Sequence, residues 1–347
     1  MFKINLCSSA FICGLVIFAT SCNSCNQPKS NSTNTETKPT VTVNAPAFNA
    51  DSAYAYTARQ LDFGPRNMNS KGHDECAKWL IEKMKTLSDT VYVQKFDQTM
   101  FDGVTIHCTN IIASINPQAK TRILLTSHWD SRPWADQDTK DRDKPILSAC
   151  DGASGVATLI EVANAIKSQP TDIGIDLFFN DAEDYGYTSS LQDLVKVTGE
   201  TENSFCIGAQ YWSRNPHVSG YRADFGILLD MAAAHNAVFT REAGSTYNAG
   251  WVQDKVWSNG QLLGYGNFFS NQPSPEITDD HHYINELAKI PTIDIIHFDA
   301  NSNSGFGPYW HTHNDNMDVV DKATLDAVGH TLLYTIYQYA AEQKVAQ

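Results

Sequence analysis

Five short segments of the sequence carry the carboxylates and imidazoles that are candidates for a chemical role. Any one of these acids alone is more often a helix cap or a solvated turn than a functional group. Their recurrence favours a divalent metal, and oxygen ligands mixed with imidazole suit zinc better than calcium or magnesium. The segments are SHWD at 127–130, CDGASG at 150–155, NDAED at 180–184, LLDM at 228–231 and YWHTHND, which contains His311.

The elements that position these segments are apolar runs with the length of buried strands. RILLTSHWD and GIDLFFND end in polar residues, and FGILLDMA carries Asp230 directly after its apolar run. The amphipathic DGASGVATLIEVANAIKS between the first two predicts a helix behind a glycine turn. The acids Asp130, Glu183, Asp184 and Asp230 therefore lie at or just beyond the C-terminal ends of strands. In open α/β sheets, ligands bind at that edge.

The rest of the chain predicts the fold class. Helical spacing at 72–87 and strand patterns at 90–96 and 105–115 give an opening αββ unit. Helices are also predicted at 251–264, at 279–288 and, closing the chain, near 323–343. We predict an α/β fold with a single domain, in which a mixed, mainly parallel central sheet carries helices on both faces. The predicted catalytic domain spans residues 48–347, near the upper size for one compact core.

Composition excludes some classes of partner. The chain of 347 residues is 42% hydrophobic and 18% charged, which is typical of a globular protein. Its formal net charge is −14 and it contains no run rich in lysine or arginine. A phosphate backbone would meet net repulsion, so nucleic acid is not an expected substrate.

The N-terminus has the order of an export signal. Lys3 precedes an apolar stretch, Phe11 to Ala19, that is too short to span a membrane, and Ala19-Thr20-Ser21-Cys22 follows. Small residues before a cysteine resemble the lipobox of bacterial lipoproteins. The resemblance implies a signal peptide at 1–21, a lipid on Cys22 and a location in the bacterial cell envelope, on its periplasmic or surface side; an ordinary secretory signal is the alternative.

Two further features concern the segment after the export signal and the cysteines. Residues 22–47 are rich in Asn, Ser, Thr and Pro with almost no apolar side chains, which predicts a flexible tether. Beyond the tether, the spacing of the cysteines matches no CxxC metal pattern. A disulfide and buried free thiols both remain open for Cys76, Cys108, Cys150 and Cys206.

The order HxD, DGxxG, an acidic pair after a strand, LDM and a late histidine resembles the zinc exopeptidase fold shared by di-zinc aminopeptidases of the M28 type and glutaminyl-peptide cyclotransferases, or glutaminyl cyclases. The resemblance covers roughly residues 50–342. It implies that Asp151, Asp184 and His311 are zinc ligands and that Glu183 is the general acid/base. Many relatives have Glu at the position of Asp184. The aspartate side chain is one methylene shorter than that of glutamate.

The sequence retains features of both branches of that family. In the di-zinc aminopeptidases, residues at the positions of His128, Asp151 and Asp230 hold a second metal, so that activity is the alternative. ITDDHHYI at 277–284 and the Trp310-His311 pair are typical of the cyclases. The resemblance to the cyclases implies that Asp230 and Asp279 belong to an acidic hydrogen-bond network.

The cyclase resemblance also implies a substrate pocket. Ile277, Phe306 and Trp310 match the apolar wall around a glutamine side chain. Animal-type cyclases carry another pocket tryptophan soon after the acidic pair, where this chain offers only Tyr185 or Tyr187.

The implied reaction closes the N-terminal glutamine of a peptide or protein to pyroglutamate with release of ammonia, one zinc acting as Lewis acid. A non-catalytic binding lipoprotein would be expected to lack a ligand or Glu183, and this chain has them all.

Overall fold

The computed structural model describes residues 42–345, which form one compact unit. The predicted signal peptide, Cys22 and most of the predicted tether lie outside the described residues. The boundary between tether and catalytic domain at 47/48 stays a prediction. The described helices are α1 (Ala50–Leu61), α2 (Lys71–Lys85), α3 (Ser154–Ser168), α4 (Ile207–Arg214), α5 (Ala243–Leu262), α6 (Asp280–Tyr283) and α7 (Lys322–Val345).

The central sheet has six strands in the order β1-β2-β4-β3-β5-β8. Strand β3 pairs in parallel with both β4 and β5, and β5 pairs in parallel with β8, whereas β1, β2 and β4 pair antiparallel. The strands are β1 (Thr90–Thr99), β2 (Thr105–Ile115), β3 (Arg122–His128), β4 (Gly174–Asn180), β5 (Phe225–Asp230), β6 (Phe239–Glu242), β7 (Phe269–Ser274) and β8 (Thr292–Ile296).

Helices cover both faces of this sheet because the strands are apolar on both sides. All residues of β3, β4 and β5 are buried. Alternate residues such as Ile123 and Leu125 join the large core beneath α1, α2, α3, α5 and α7, while Leu124 packs on the opposite side with Trp212 of α4. The predicted fold class is confirmed.

Some predicted elements differ from the observed ones. The predicted αββ unit is observed as α2, β1 and β2, but a helix that was not predicted, α1, precedes it. The helix predicted at 251–264 corresponds to the part of α5 that follows a kink at Ala249, whose φ of −143° is not helical. The part before the kink was not predicted; it begins at Ala243, where Glu242 caps it by accepting from the N–H groups of Gly244 and Ser245. The helix predicted over 279–288 is one α-helical turn, Asp280–Tyr283, followed by a π-helical turn, Ile284–Ala288.

The topology brings the predicted site segments to one edge. The chain passes from β3 through α3 to β4 on one side, and then through α4 to β5 on the other side of β3. The C-terminal end of β3 is therefore a switch point, where the two connections leave a crevice. His128 ends β3 and Asp230 ends β5, so both reach this crevice.

Two further observations concern the described part of the chain. No helix between residues 42 and 345 combines the length and apolar character needed to cross a membrane. Cys76, Cys108, Cys150 and Cys206 are all buried free thiols. Of the two alternatives that the sequence left open for these cysteines, the structure therefore has free thiols.

Candidate zinc and active site

A cavity of about 240 Å³ opens at the C-terminal edge of the sheet. It brings together residues that are far apart in the sequence. Every residue predicted as a zinc ligand, proton carrier or substrate wall lines it, namely Asp151, Glu183, Asp184, Asp230, Ile277, Asp279, Phe306, Trp310 and His311.

The three predicted zinc ligands lie close enough to share one ion. Donor atoms of Asp151, Asp184 and His311 all lie within 4.8 Å of one another. His311 Nε2 is 3.1 Å from Asp184 Oδ1 and 3.9 Å from Asp151 Oδ2. Asp184 Oδ2 is buried and has no hydrogen-bond partner among the described residues. A buried carboxylate oxygen without a partner, beside an imidazole and a second carboxylate, fits a zinc ion.

Asp151 is positioned by a kink before α3. Gly152 adopts φ +93°, and a Cβ there would lie 2.7 Å from His128 Cε1, so this position requires glycine. A Cβ on Gly155 would lie 2.6 Å from the carbonyl oxygen of Leu229, which explains the second glycine of the motif. The carboxylate of Asp315 accepts from the N–H groups of Cys150 and Asp151 and holds the kink from the other side.

The acidic pair is positioned by its backbone. Asp130 accepts from the N–H groups of Glu183 and Asp184, both at 3.1 Å. Ala182 directly before them has φ +54°, a left-handed conformation that costs on the order of 1–2 kcal/mol for a non-glycine residue. Arg132 donates to the carbonyl oxygen of Asp184 at 2.9 Å. This turn therefore directs two adjacent carboxylates into the same cavity.

His311 is oriented by groups behind it and beside it. Asp136 Oδ1 lies 3.1 Å from His311 Nδ1, which leaves Nε2 facing Asp151 and Asp184. Arg132 Nε donates to the same Asp136 oxygen at 3.0 Å. A carboxylate behind a histidine ligand fixes the tautomer and raises the basicity of the ring.

Glu183 lies beside the candidate ligands in an environment that favours its protonated form. The residue is only 8% exposed. Burial raises the pKa of Glu183 well above its usual value, and the charges of Asp184 and Asp279 add to the rise, while His128 opposes it. A carboxyl group with a raised pKa can both accept and return a proton near neutral pH.

Asp230 and Asp279 are two further buried acids that line the same cavity as Glu183. Burial and the charge of Asp151 raise the pKa of Asp230 to about 7. Burial also raises the pKa of Asp279. One oxygen of Asp279, one of Asp294 and a ring nitrogen of His281 lie within 4.8 Å of one another. Carboxyl groups this close in a buried place share a proton, because two like charges repel strongly there.

His128 defines a second cluster that shares Asp151 with the first. Its Nε2 lies 3.0 Å from Asp151 Oδ1 and 3.3 Å from Asp230 Oδ1. Burial lowers the pKa of His128, but the hydrogen bonds with Asp130, Asp151 and Asp230 outweigh it and raise the pKa well above its usual value. The predicted second-metal residues are thus in place, and their atoms are also close enough to pair directly.

The apolar wall of the cavity is partly as predicted. Trp310 stacks on His311 with ring centres 3.9 Å apart, and Phe306 lies 4.9 Å from Trp310. Tyr185 and Tyr187 do not line this cavity but pack around Phe101 in a neighbouring cluster, so they do not replace the tryptophan of the animal-type cyclases. Phe205 lines the cavity instead.

Sequence reasoning missed several residues of the site. Four residues support the site from behind the cavity, namely Asp136, Arg132, Asp315 and Asp294. They lie in loops or inside an apolar strand, so no motif marks them. Phe205 comes from a loop that has no periodic pattern. A weak signal existed for Asp315, which ends the YWHTHND segment.

The fold and the site together define an α/β enzyme of the zinc exopeptidase type. The model of peptidase family M28 matches residues 110–336. The chain is 26% identical over 292 residues to the glutaminyl-peptide cyclotransferase of Gloydius blomhoffii, covering 76% of this chain and 71% of that protein.

Solved structures are more similar still. Bacteroides thetaiotaomicron glutaminyl cyclase bound to N-acetylhistamine is 47% identical with a TM-score of 0.80, covering 85% of this chain and 99% of that one. A Zn-dependent exopeptidase from Parabacteroides distasonis is 44% identical with a TM-score of 0.81, covering 85% and 99%. The chain belongs to peptidase family M28 and, within it, to the glutaminyl-peptide cyclotransferase class of enzymes.

Proposed function

We propose that this protein cyclises the N-terminal glutamine of peptides or proteins to pyroglutamate and releases ammonia. The observation that carries the proposal is the single cavity in which Glu183 and a zinc-ligand set adjoin an apolar wall of Ile277, Phe306 and Trp310. Similarity to glutaminyl cyclases over most of the chain supports it. The substrate itself supplies the nucleophile, its α-amine, so no nucleophilic side chain is required.

Asp151, Asp184 and His311 would hold one zinc ion. When bound, the metal supplies Lewis-acid activation of the glutamine γ-carbonyl, which is worth several kcal/mol of charge stabilisation. Burial and the charge of Asp151 raise the pKa of Asp184, so a divalent cation there would stabilise its ionised form. Three protein ligands are the usual number for a catalytic zinc site.

Glu183 would move the proton. The α-amine loses a proton to Glu183 as its nitrogen attacks the carbonyl carbon of the γ-carboxamide, Cδ, and Glu183 returns the proton to the side-chain nitrogen, which leaves as ammonia. The C–N bond formed in the ring replaces the C–N bond broken, and no water is consumed. The carboxyls of Asp279 and Asp294 would keep a shared proton near Glu183. Together with Asp230, whose pKa is also raised, they would limit the negative charge around Glu183.

The apolar wall would act by positioning. Cyclisation needs the glutamine side chain to fold back on its own amine, and a tight pocket supplies that proximity. Trp310 packs against His311 at 3.9 Å and borders Phe306, which fixes one side of the pocket. The same apolar surface excludes water that could otherwise hydrolyse the amide.

Two substitutions test the metal and proton roles separately. His311→Ala should remove bound zinc and activity together. Glu183→Gln should keep zinc and fold while lowering kcat by roughly 10²- to 10⁴-fold, the usual range for a general acid/base. Elemental analysis and steady-state kinetics measure both. A His311→Ala protein with full zinc and full turnover would remove the ligand assignment, and a near-normal kcat in Glu183→Gln would assign the proton to another group.

A di-zinc aminopeptidase is the second candidate because His128, Asp151 and Asp230 form a second metal-sized cluster. In the cyclase proposal His128 pairs directly with both carboxylates and needs no second ion. His128→Asn should then leave one zinc per chain, whereas in a di-zinc peptidase the zinc content should fall from two toward one.

We also propose that the enzyme is exported and anchored to the bacterial cell envelope through a lipid on Cys22, a residue outside those that the structure describes. The support is the order of positive, apolar and small residues before that cysteine. In cells, Cys22→Ala should move the protein from the membrane fraction to the soluble fraction. Unchanged membrane association would contradict the anchor.

A further inference from the structure

A buried thiol contacts the side chain of the proposed acid/base. Cys206 Sγ lies 3.2 Å from Glu183 Oε1, within hydrogen-bond distance for sulfur. Cys206 is fully buried, and it is not among the residues that line the cavity. Within residues 42–345, this thiol is the only group that donates a hydrogen bond to the Glu183 carboxylate.

The backbone holds the thiol in that place. Cys206 N–H donates to the Glu183 carbonyl at 2.9 Å, and the next two N–H groups donate to the carbonyls of Ala182 and Asp181, so the start of α4 is paired with the catalytic turn. Cys206 itself has φ +58°. A left-handed conformation at a residue with a Cβ persists where the surrounding structure enforces it.

We propose that Cys206 is a positioning residue that orients the carboxylate of Glu183. The thiol S–H donates to Oε1, which fixes the rotation of the carboxylate so that its second oxygen faces the substrate. The inference rests on the proposed role of Glu183 and adds to it a residue that touches neither substrate nor metal.

The chemistry of the thiol suits this role. Burial raises the pKa of Cys206 well above its usual value, and the charge of Glu183 raises it further. The sulfur therefore stays protonated and donates to the carboxylate in the ionised form of Glu183, the form that accepts the proton from the substrate amine. Asp184, Asp279 and Asp280 surround Glu183, and their negative charges repel its carboxylate. Without a fixed donor, this repulsion would rotate the Glu183 carboxylate away from the substrate.

Cys206→Ala should lower kcat roughly 3- to 10-fold, the effect of one weak hydrogen bond to an ionisable group, with KM unchanged within about twofold. Cys206→Ser restores a donor and should recover most of the lost kcat. Both variants keep a Cβ, so the left-handed backbone is equally strained in each. Cys108→Ala is the matched control, because Cys108 is also a buried free thiol but does not line the cavity, and the hydrogen bond to Glu183 comes from Cys206.

The decisive test combines the variants with Glu183→Gln in a double-mutant cycle measured by ammonia release, with melting temperatures recorded for each protein. If the thiol acts through Glu183, Cys206→Ala should change kcat by less than about twofold in the Glu183→Gln background. The same loss in both backgrounds, full kcat in Cys206→Ala, or an equal loss in the Ser variant would overturn the inference. A near-normal kcat in Glu183→Gln alone would instead reject the proposed function of Glu183.

Discussion

Asp136→Asn removes one negative charge from behind His311 while preserving the shape of the side chain. Asp136 Oδ1 contacts His311 Nδ1 at 3.1 Å and accepts from Arg132 Nε at 3.0 Å, and Oδ2 accepts from the Thr188 hydroxyl at 2.6 Å. Burial raises the pKa of Asp136, but the close contacts with His311 and Arg132 outweigh it and hold the pKa below its usual value. The side chain is therefore ionised at neutral pH.

An asparagine can keep its oxygen toward His311 and Arg132 and place its amide beside the Thr188 hydroxyl. The fold should therefore survive, while His311 loses the charge that raises its basicity. Removal of such a carboxylate lowers metal affinity by about 10- to 100-fold, or about 1.4 to 2.8 kcal/mol. We expect this loss in zinc affinity, with kcat of the zinc-saturated enzyme affected less.

The assay is competition for zinc against a chromogenic chelator of known affinity at constant pH. Asp138→Asn is the matched control, because Asp138 lies in the same loop and accepts from the His313 N–H rather than from the His311 ring. The control should bind zinc as the unmodified protein does. Equal zinc affinity in Asp136→Asn and the control would refute the role given to His311 as a ligand oriented by Asp136.

Three further predictions concern stability and the pocket. Burial raises the pKa of Glu242, but hydrogen bonds from His281 and Ser245 outweigh it and lower the pKa to about 2. The ionised Glu242 therefore stabilises the fold above about pH 4.5, and this stabilisation is lost as pH falls toward 2. Glu242→Gln should destabilise the fold by about 2 kcal/mol at pH 7 and by less at pH 3.5 in urea titrations; a constant difference would contradict the assignment. Gly152→Ala should cost about 2–4 kcal/mol because of its φ of +93° and the contact with His128, whereas Gly220→Ala, at φ +70° with open space around it, should cost about 1–2 kcal/mol; equal costs would show that the close contact is unimportant. Trp310→Ala should lower kcat/KM by about 10- to 100-fold with zinc content unchanged, and loss of zinc instead would assign the residue to metal binding.

The fold class followed from the sequence because each central strand is a continuous apolar run. Such runs are typical of strands that are buried on both faces of a parallel sheet. The polar residues after these strands mark the edge of the sheet where the site forms. The first helix, Ala50–Leu61, was missed because only Ala53, Thr57 and Gln60 are buried on it, two of them polar. Its apolar signal is therefore weak.

The convergence of the site was predicted from acids at the ends of strands and the roles of its residues from the resemblance, and the structure places the predicted residues around one cavity. Their chemical roles stay predictions. What the sequence could not supply is the surroundings: Asp136 and Asp315 act across long loops, and the hydrogen bond of Cys206 to Glu183 joins residues 23 positions apart. Such contacts depend on tertiary packing and leave no local pattern.

The most direct test of the central claim is the product formed from a peptide with N-terminal glutamine and from matched peptides beginning with leucine or alanine. With purified, zinc-loaded protein, mass spectrometry should show loss of one ammonia from the glutamine peptide, with stoichiometric ammonia in solution and the other peptides intact. Release of free N-terminal amino acids from all three peptides, without pyroglutamate, would contradict the cyclase and establish an aminopeptidase.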